Sequence, residues 1–277
     1  MAWIPLIPGA VASLWKGYEE IVARPQRRAR EAQQKLREGY DTDQPTITKE
    51  LIVSAQETVG YDKDKQNIVF AGNVNVGKSS LINALCDKGG NDDGAARVGS
   101  IQTTMGITRH EIPNHPEMLL YDIPGARTQD VPAFQYYHDQ MLYAFDTVVL
   151  VHDTTLTQAD IRLLKMCILS NQKCLAVRTK SDDHIRNYEY DKECNNLEKA
   201  RQIFLSEIRQ DIERCQEQIA ASWPEREVQV RDYVVSSRSV RSFMRQNASP
   251  KDAATAYIDE LDFAFALSPT LVVNVDN

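Results

Sequence analysis

The sequence lacks any long hydrophobic run, any C-x-x-C pair and any excess of basic residues. Each absence removes a class of protein. Of its 277 residues, 42% are hydrophobic and 26% charged. These are the proportions of a soluble globular chain, and they exclude a mostly disordered chain, a collagen-like repeat and a polytopic membrane protein. Acidic residues outnumber basic ones 39 to 32, for a formal net charge of −7. A compact nucleic-acid binder carries the opposite balance, so nucleic acid is not an expected partner. The five cysteines (Cys86, Cys167, Cys174, Cys194, Cys215) are odd in number and widely spaced, which fits reduced thiols packed as small hydrophobes in a cytoplasmic protein. The five histidines show no metal-ligand spacing.

The first 20 residues are apolar and aromatic but interrupted by Pro5, Pro8 and Gly9, with no Lys or Arg ahead of them. A secretory signal needs a basic start and a spanning helix about 20 unbroken apolar residues, so neither is expected. Met1-Ala2 lacks the glycine that myristoylation requires. Arg24, Arg27, Arg28, Arg30, Lys35 and Arg37 then make a local basic stretch. It reads either as a solvated helix face or as a peripheral contact with an acidic membrane surface or partner.

From Asn67 onward, short β-branched runs alternate with amphipathic segments. Strands are expected at 67–71, 107–112, 118–122, 147–151, 174–178 and 228–235, and helices near 78–87, 131–144, 157–170, 191–221, from about 240 and over 250–267. That alternation predicts a three-layer α/β fold with a mostly parallel sheet. The link between 107–112 and 118–122 is too short for a helix, so that pair should be antiparallel. N-terminal helices and a short C-terminal helix complete the expected architecture. The expected divisions are an N-terminal helical segment at 1–54, a central α/β domain at 55–247, and a C-terminal helix and tail at 248–277.

The strongest chemical signal is Gly72-Asn73-Val74-Asn75-Val76-Gly77-Lys78-Ser79, with Ser80 following, between a strand-like and a helix-like segment. It fits G-x-x-x-x-G-K-[ST], so the expected sheet is that of a Ras-like P-loop NTPase. Glycines let the backbone wrap a phosphate with its N–H groups inward. Lys78 reaches the β- and γ-phosphates, the Ser79 hydroxyl ligates Mg²⁺, and the helix N-terminus adds its dipole. Three later segments narrow the ligand to GTP or GDP. Asp122-Ile123-Pro124-Gly125 ends a strand, where Asp122 can hold magnesium through water and Gly125 can offer its N–H to the γ-phosphate. Thr179-Lys180-Ser181-Asp182 matches [NT]-K-x-D. The Asp182 carboxylate accepts from guanine N1–H and the exocyclic amine, a donor pair that adenine lacks. Ser236-Ser237 closes the last strand, where a backbone N–H can meet guanine O6.

These segments, with GAA at 94–96, TTM at 103–105 and VRTKSD at 177–182, resemble the immunity-related (interferon-inducible) GTPases over roughly residues 55–245. The resemblance implies a dynamin-like GTPase that pairs through its GTPase domains, as a homodimer, and acts peripherally on intracellular membranes. It also places the switch threonine at Thr104. Thr108 is the generic alternative, and either would close on Mg²⁺ and the γ-phosphate. The family usually carries a larger C-terminal helical domain than the short segment after Asn247. Asn75 is similar instead to the asparagine that helps hold potassium in Era- and MnmE-type GTPases.

Just after D-x-x-G, where a Ras-like protein carries the glutamine that orients water, stand Ala126 and Arg127. Alanine cannot orient water. Slow intrinsic turnover is expected, raised by dimerisation, by a partner, or by Arg127 acting in cis or in trans. The rival expectations are a GTP-dependent switch or scaffold without useful catalysis, and an Era-like ribosome-assembly GTPase.

Overall fold

The computed structural model describes residues 47–97, 106–125, 133–191, 196–221, 231–245 and 252–273. Six strands, β1 (Gln66–Ala71), β2 (Thr108–Ile112), β3 (His115–Asp122), β4 (Thr147–His152), β5 (Lys173–Arg178) and β6 (Asp232–Val234), pair in the order β2-β3-β1-β4-β5-β6. Every pairing is parallel except β2 with β3. A tight link, with Asn114 at a φ of 64°, joins that antiparallel pair. β4 is buried along its whole length, as befits a parallel strand covered on both faces.

The helices lie on both faces of the sheet. They are α1 (Lys49–Val59), α2 (Lys78–Leu85), α3 (Ala133–Asp139), α4 (Gln158–Leu169), α5 (Ser181–Asp191), α6 (Leu197–Ala220), α7 (Ser237–Met244), α8 (Glu260–Leu267) and the single turn α9 (Thr270–Val273). On one face Val59, Tyr137, Leu164 and Ile219 pack on Val69, Tyr121 and Val148. On the other Leu81, Ile82, Val240, Phe243, Phe263 and Leu267 pack on Ile68, Phe70, Leu120 and Val149. This is the expected three-layer α/β architecture.

Several element bounds differ from expectation, for local reasons. The helix expected at 131–144 is broken. α3 ends at Asp139, Met141 turns left-handed at a φ of 50°, and one 3₁₀ turn, Leu142–Ala144, follows. Gln172 Nε2 fixes that break by donating to the carbonyls of Leu142 (2.7 Å) and Phe145 (2.8 Å). Within 250–267 only α8 is helical. Asp252 accepts from Thr255 N at 3.0 Å and Asp259 from Val234 N at 2.9 Å, short-side-chain bonds that compete with helix. The strand expected at 228–235 is narrowed to β6; residues 228–230 lie outside the described residues. The sequence did not indicate α5 at all.

Residues 1–46 of the expected N-terminal segment lie outside the described residues. α1, capped by the Thr48 hydroxyl on Leu51 N, runs through the expected boundary at 54/55. At the other end, α8 joins the core through Phe263 and Leu267.

Glu260 opens α8 almost wholly buried, at 1% exposure. Its carboxylate accepts from Ser236 N at 3.2 Å and Ile258 N at 2.6 Å. Burial outweighs those donors and lifts its pKa to about 7. A raised carboxyl pKa gives stability that is fully present below the unfolded value and lost as pH rises through the folded one. The expected result is that wild type loses stability relative to Glu260→Gln between pH 5 and pH 8, by on the order of 3 kcal/mol for a shift of that size. Paired thermal melts across that range check it; parallel curves would place the titration elsewhere.

Candidate functional site

Parallel strands end on a common edge, and loops that leave it can converge. The register sets Phe70 of β1 beside Asp122 of β3, Ala71 beside Leu150 of β4, and His152 beside Arg178 of β5. The loop after each strand therefore opens at the same place.

Gly72 leaves β1 with a φ of 134°, and a Cβ there would stand 2.1 Å from the Val151 carbonyl oxygen. No other residue fits. Asn73, Val74, Asn75 (φ 66°) and Val76 complete the loop, and Gly77 (φ 95°) starts α2. Lys78 is only 7% exposed. Its Nζ donates to the carbonyls of Gly72 (3.1 Å) and Asn73 (2.6 Å). Burial lowers its pKa to about 8, against the pull of Asp122. The Ser79 hydroxyl donates to Asp122 Oδ2 at 2.6 Å, and Ser80 follows on the same first turn of α2. A Cβ on Gly125 would lie 2.8 Å from Val74 N and 2.9 Å from Lys78 Nζ, so the D-x-x-G loop rests directly on the phosphate loop.

Thr179 joins this region to the segment after β5. Its N–H donates to the His152 carbonyl at 2.8 Å, and its hydroxyl donates to the Val76 carbonyl at 2.5 Å. Lys180, at a φ of 59°, places Nζ 2.6 Å from Asp153 Oδ2. Asp182 stands in the first turn of α5, 4% exposed. Arg238 of α7 donates to Asp182 Oδ2 at 2.8 Å and lies 3.6 Å from Asp183 Oδ1. Burial, and then Asp183, raise the Asp182 pKa, while Arg238 opposes them. Ser236 caps α7 by accepting from Ser239 N at 3.0 Å. Ser237 is the first residue of that helix, so its N–H has no acceptor within it.

The sheet edge thus brings together residues 72–80, Asp122, Gly125, Thr179, Lys180, Asp182, Ser236 and Ser237. Thr104 and Arg127, with Ala126, lie outside the described residues. Thr108 opens β2 opposite Asp122, with its hydroxyl 3.1 Å from His110 Nε2. The segment after α2 is tied down by hydrogen bonds as far as residue 96. Asn83 and Ala96 exchange bonds of 2.8 and 2.7 Å, and Gly89 N donates to Asp92 at 2.6 Å.

Three residues at this edge escaped sequence reasoning: Arg238, Asp153 and Tyr136. Arg238 follows the Ser236-Ser237 pair directly, which is a usable signal. Tyr136 carries no such signal, since it sits in FQYYHD, outside every nucleotide-binding signature.

The family model for interferon-inducible GTPases matches residues 30–228. The chain belongs to the interferon-inducible GTPase family. Mouse interferon-inducible GTPase 1 is 30% identical over 126 residues, covering 46% of this chain and 30% of that protein. Rat interferon-inducible GTPase 5 is 30% identical over 161 residues, 57% of this chain and 34% of that one. Mouse interferon-gamma-inducible GTPase 10 is 25% identical over 198 residues, 71% and 45% respectively. This interferon-inducible GTPase chain thus spans between about a third and a half of the length of these relatives. Among solved structures it is similar to Aquifex aeolicus Era, with 17% identity, a TM-score of 0.36, and coverage of 63% of this chain and 52% of that one. Among the described residues of this family member, no helix is long and apolar enough to cross a membrane.

The Lys78 pKa gives a prediction. Near pH 8 its ammonium is about half charged, and a phosphate bound in the loop holds it fully charged. Lys78 should therefore take up about half a proton when nucleotide binds at pH 8, and binding should weaken as pH rises above 8. Titration calorimetry in two buffers of different ionisation enthalpy measures the uptake, which should disappear in Lys78→Met.

Proposed function

We propose that the chain binds GTP and GDP along this sheet edge and hydrolyses GTP to GDP and phosphate with Mg²⁺. The observation that carries this reading is the buried Lys78 ammonium inside a glycine-shaped loop, with Asp122 and Asp182 on the same edge. Phosphates replace the Gly72 and Asn73 carbonyls around Lys78 Nζ and accept from the N–H groups of residues 73–80. Gly125 N–H serves the γ-phosphate. Guanine displaces Arg238 and donates from N1–H and its amine to Asp182, while the Lys180 stem covers the base and the Ser236-Ser237 backbone meets O6.

The donor set suits magnesium. Ser79 Oγ and Asp122 Oδ2 meet at 2.6 Å, both are hard oxygen donors, and Mg²⁺ at nucleotide sites takes one or two protein oxygens and completes its shell with phosphate and water. Among the described residues no group of three or more His, Cys, Asp or Glu is placed to hold a metal by itself. When bound, Mg²⁺ neutralises phosphate charge. Thr104, where the family resemblance puts the switch threonine, is the proposed switch residue.

With Ala126 unable to orient water, intrinsic turnover is slow. Pairing of two GTPase domains, or a partner, raises it, and Arg127 supplies charge to the transition state. The basic N-terminal segment is the proposed peripheral contact with intracellular membranes, outside a GTPase unit at 55–247 and a C-terminal segment at 248–277. Asn75 is the proposed contact for potassium; equal turnover in sodium and potassium buffers would remove that ion.

Hydrolysis measured with Mg²⁺ over a range of protein concentrations should show specific activity rising with concentration and absent in Lys78→Ala. Tight GTP binding with background turnover at every concentration would leave a switch or scaffold. Asp182→Asn tests the base assignment. It replaces one of the two acceptor oxygens that guanine needs with a donor suited to the 2-oxo group of xanthine, so GTP affinity should fall by at least about 100-fold while XTP affinity rises.

A further inference from the structure

Tyr136 stands on α3, outside every nucleotide-binding sequence signature, yet its hydroxyl reaches two of the loops described above. It accepts from Gly72 N at 3.3 Å and donates to the Pro124 carbonyl at 3.2 Å. The residue is 8% exposed, and burial drives its pKa up, so the hydroxyl stays protonated and keeps both bonds across the physiological range. One oxygen atom thus ties the first residue of the phosphate loop to the residue before Gly125.

The consequence lies at Gly125. A single carbon added to it would stand 2.8 Å from Val74 N, 2.9 Å from Lys78 Nζ and 3.0 Å from the Asn73 carbonyl carbon. A space too small for one carbon cannot admit a phosphate group between Gly125 and the loop. Lys78 Nζ meanwhile bonds to the Gly72 and Asn73 carbonyls, so its charge is also turned onto the loop itself. The γ-phosphate is the group that the proposed reading seats at Gly125, so the triphosphate, not the diphosphate, has to lift Pro124-Gly125 away from the loop.

We infer that the Tyr136 hydroxyl is a positioning residue that discriminates between nucleotide states. By holding Pro124 against Gly72 it keeps the D-x-x-G loop closed over the γ-phosphate position, favours the diphosphate, and makes opening of that loop part of the cost of binding the triphosphate. The inference rests on the assignment of Gly72–Ser79 and Gly125 to the phosphates.

Tyr136→Phe removes one oxygen and keeps the ring in the core. In the full chain, affinities for GDP and for slowly hydrolysed GTPγS are measured side by side. The ratio of GTPγS to GDP affinity should shift toward GTPγS by about two- to ten-fold, the worth of one hydrogen bond. Tyr136→Met, which also lacks the hydroxyl, should shift it in the same direction on a different packing background. Tyr137→Phe is the matched control; its buried hydroxyl bonds Gln172 Oε1 at 2.8 Å, away from both loops, and its ratio should stay at the wild-type value. A merely structural Tyr136 would lower the melting temperature and weaken both nucleotides in proportion. That result, or a shift toward GDP, overturns the inference. Lys78→Ala separates the two levels of argument. Loss of both nucleotides there, with an unmoved ratio in Tyr136→Phe, sinks only the role of Tyr136. Unaltered binding in Lys78→Ala sinks the phosphate assignment beneath it.

Discussion

A buried ammonium must be surrounded by oxygen, and the phosphate-binding end of this fold is organised around meeting that demand for Lys78. The desolvation that pulls its pKa down to about 8 is offset by the Gly72 and Asn73 carbonyls, which can point inward because Gly72 adopts a φ closed to other residues. The same turn brings Gly72 under the Val151 carbonyl of β4, so the loop cannot shift without disturbing a central strand. A charged group at so tight a point is costly unless compensated. The compensation is local backbone, available wherever β1 is followed by glycine, a short loop and a helix.

The other half of the edge depends on cross-strand charge pairing. Below the 179–182 segment, His152 Nε2 lies 2.8 Å from Asp232 Oδ1, Arg178 Nε 3.1 Å from Asp232 Oδ2, and Arg178 Nη2 2.7 Å from Asp211 Oδ2. These groups belong to β4, β5, β6 and α6, and all are buried. Such clusters add little net stability, but breaking one leaves an uncompensated buried charge worth about 3–5 kcal/mol. They therefore fix the spacing of β4, β5 and β6, and with it the position of Thr179, which bonds the His152 carbonyl. Glu260 does similar work from α8 by holding the Ser236 N–H. The C-terminal helix is thereby tied to the loop expected to meet the base.

Most of the sheet was legible in the sequence because its strands are β-branched runs with sharp ends, as at 147–151, and because a glycine-rich loop between strand and helix has few other meanings. What escaped had weak periodicity or depended on distant partners. α5, SDDHIRNYEYD, carries only Ile185 fully in the core among its apolar residues, so its sequence reads as polar. The break at Met141 is decided by Gln172, a residue of another segment. Tyr136 and Arg238 act through groups 64 and 56 residues away in sequence, and no local pattern announces such contacts.

Three polar side chains expected to meet a nucleotide have a stand-in within the chain: Lys78 has two carbonyls, Ser79 has Asp122 and Asp182 has Arg238. Binding is then an exchange of partners rather than the filling of a ready cavity, and its free energy is a difference between nearly matched sets of bonds. The exchanges are not equivalent. Arg238 is 65% exposed and leaves into water at little cost, so recognition of the base is cheap to open. Pro124 is held by a buried hydroxyl and Gly125 is packed on backbone, so under the proposed assignment the γ-phosphate end is expensive. On that proposal the site tells nucleotides apart by base through a carboxylate, and by phosphate number through the work of opening one loop.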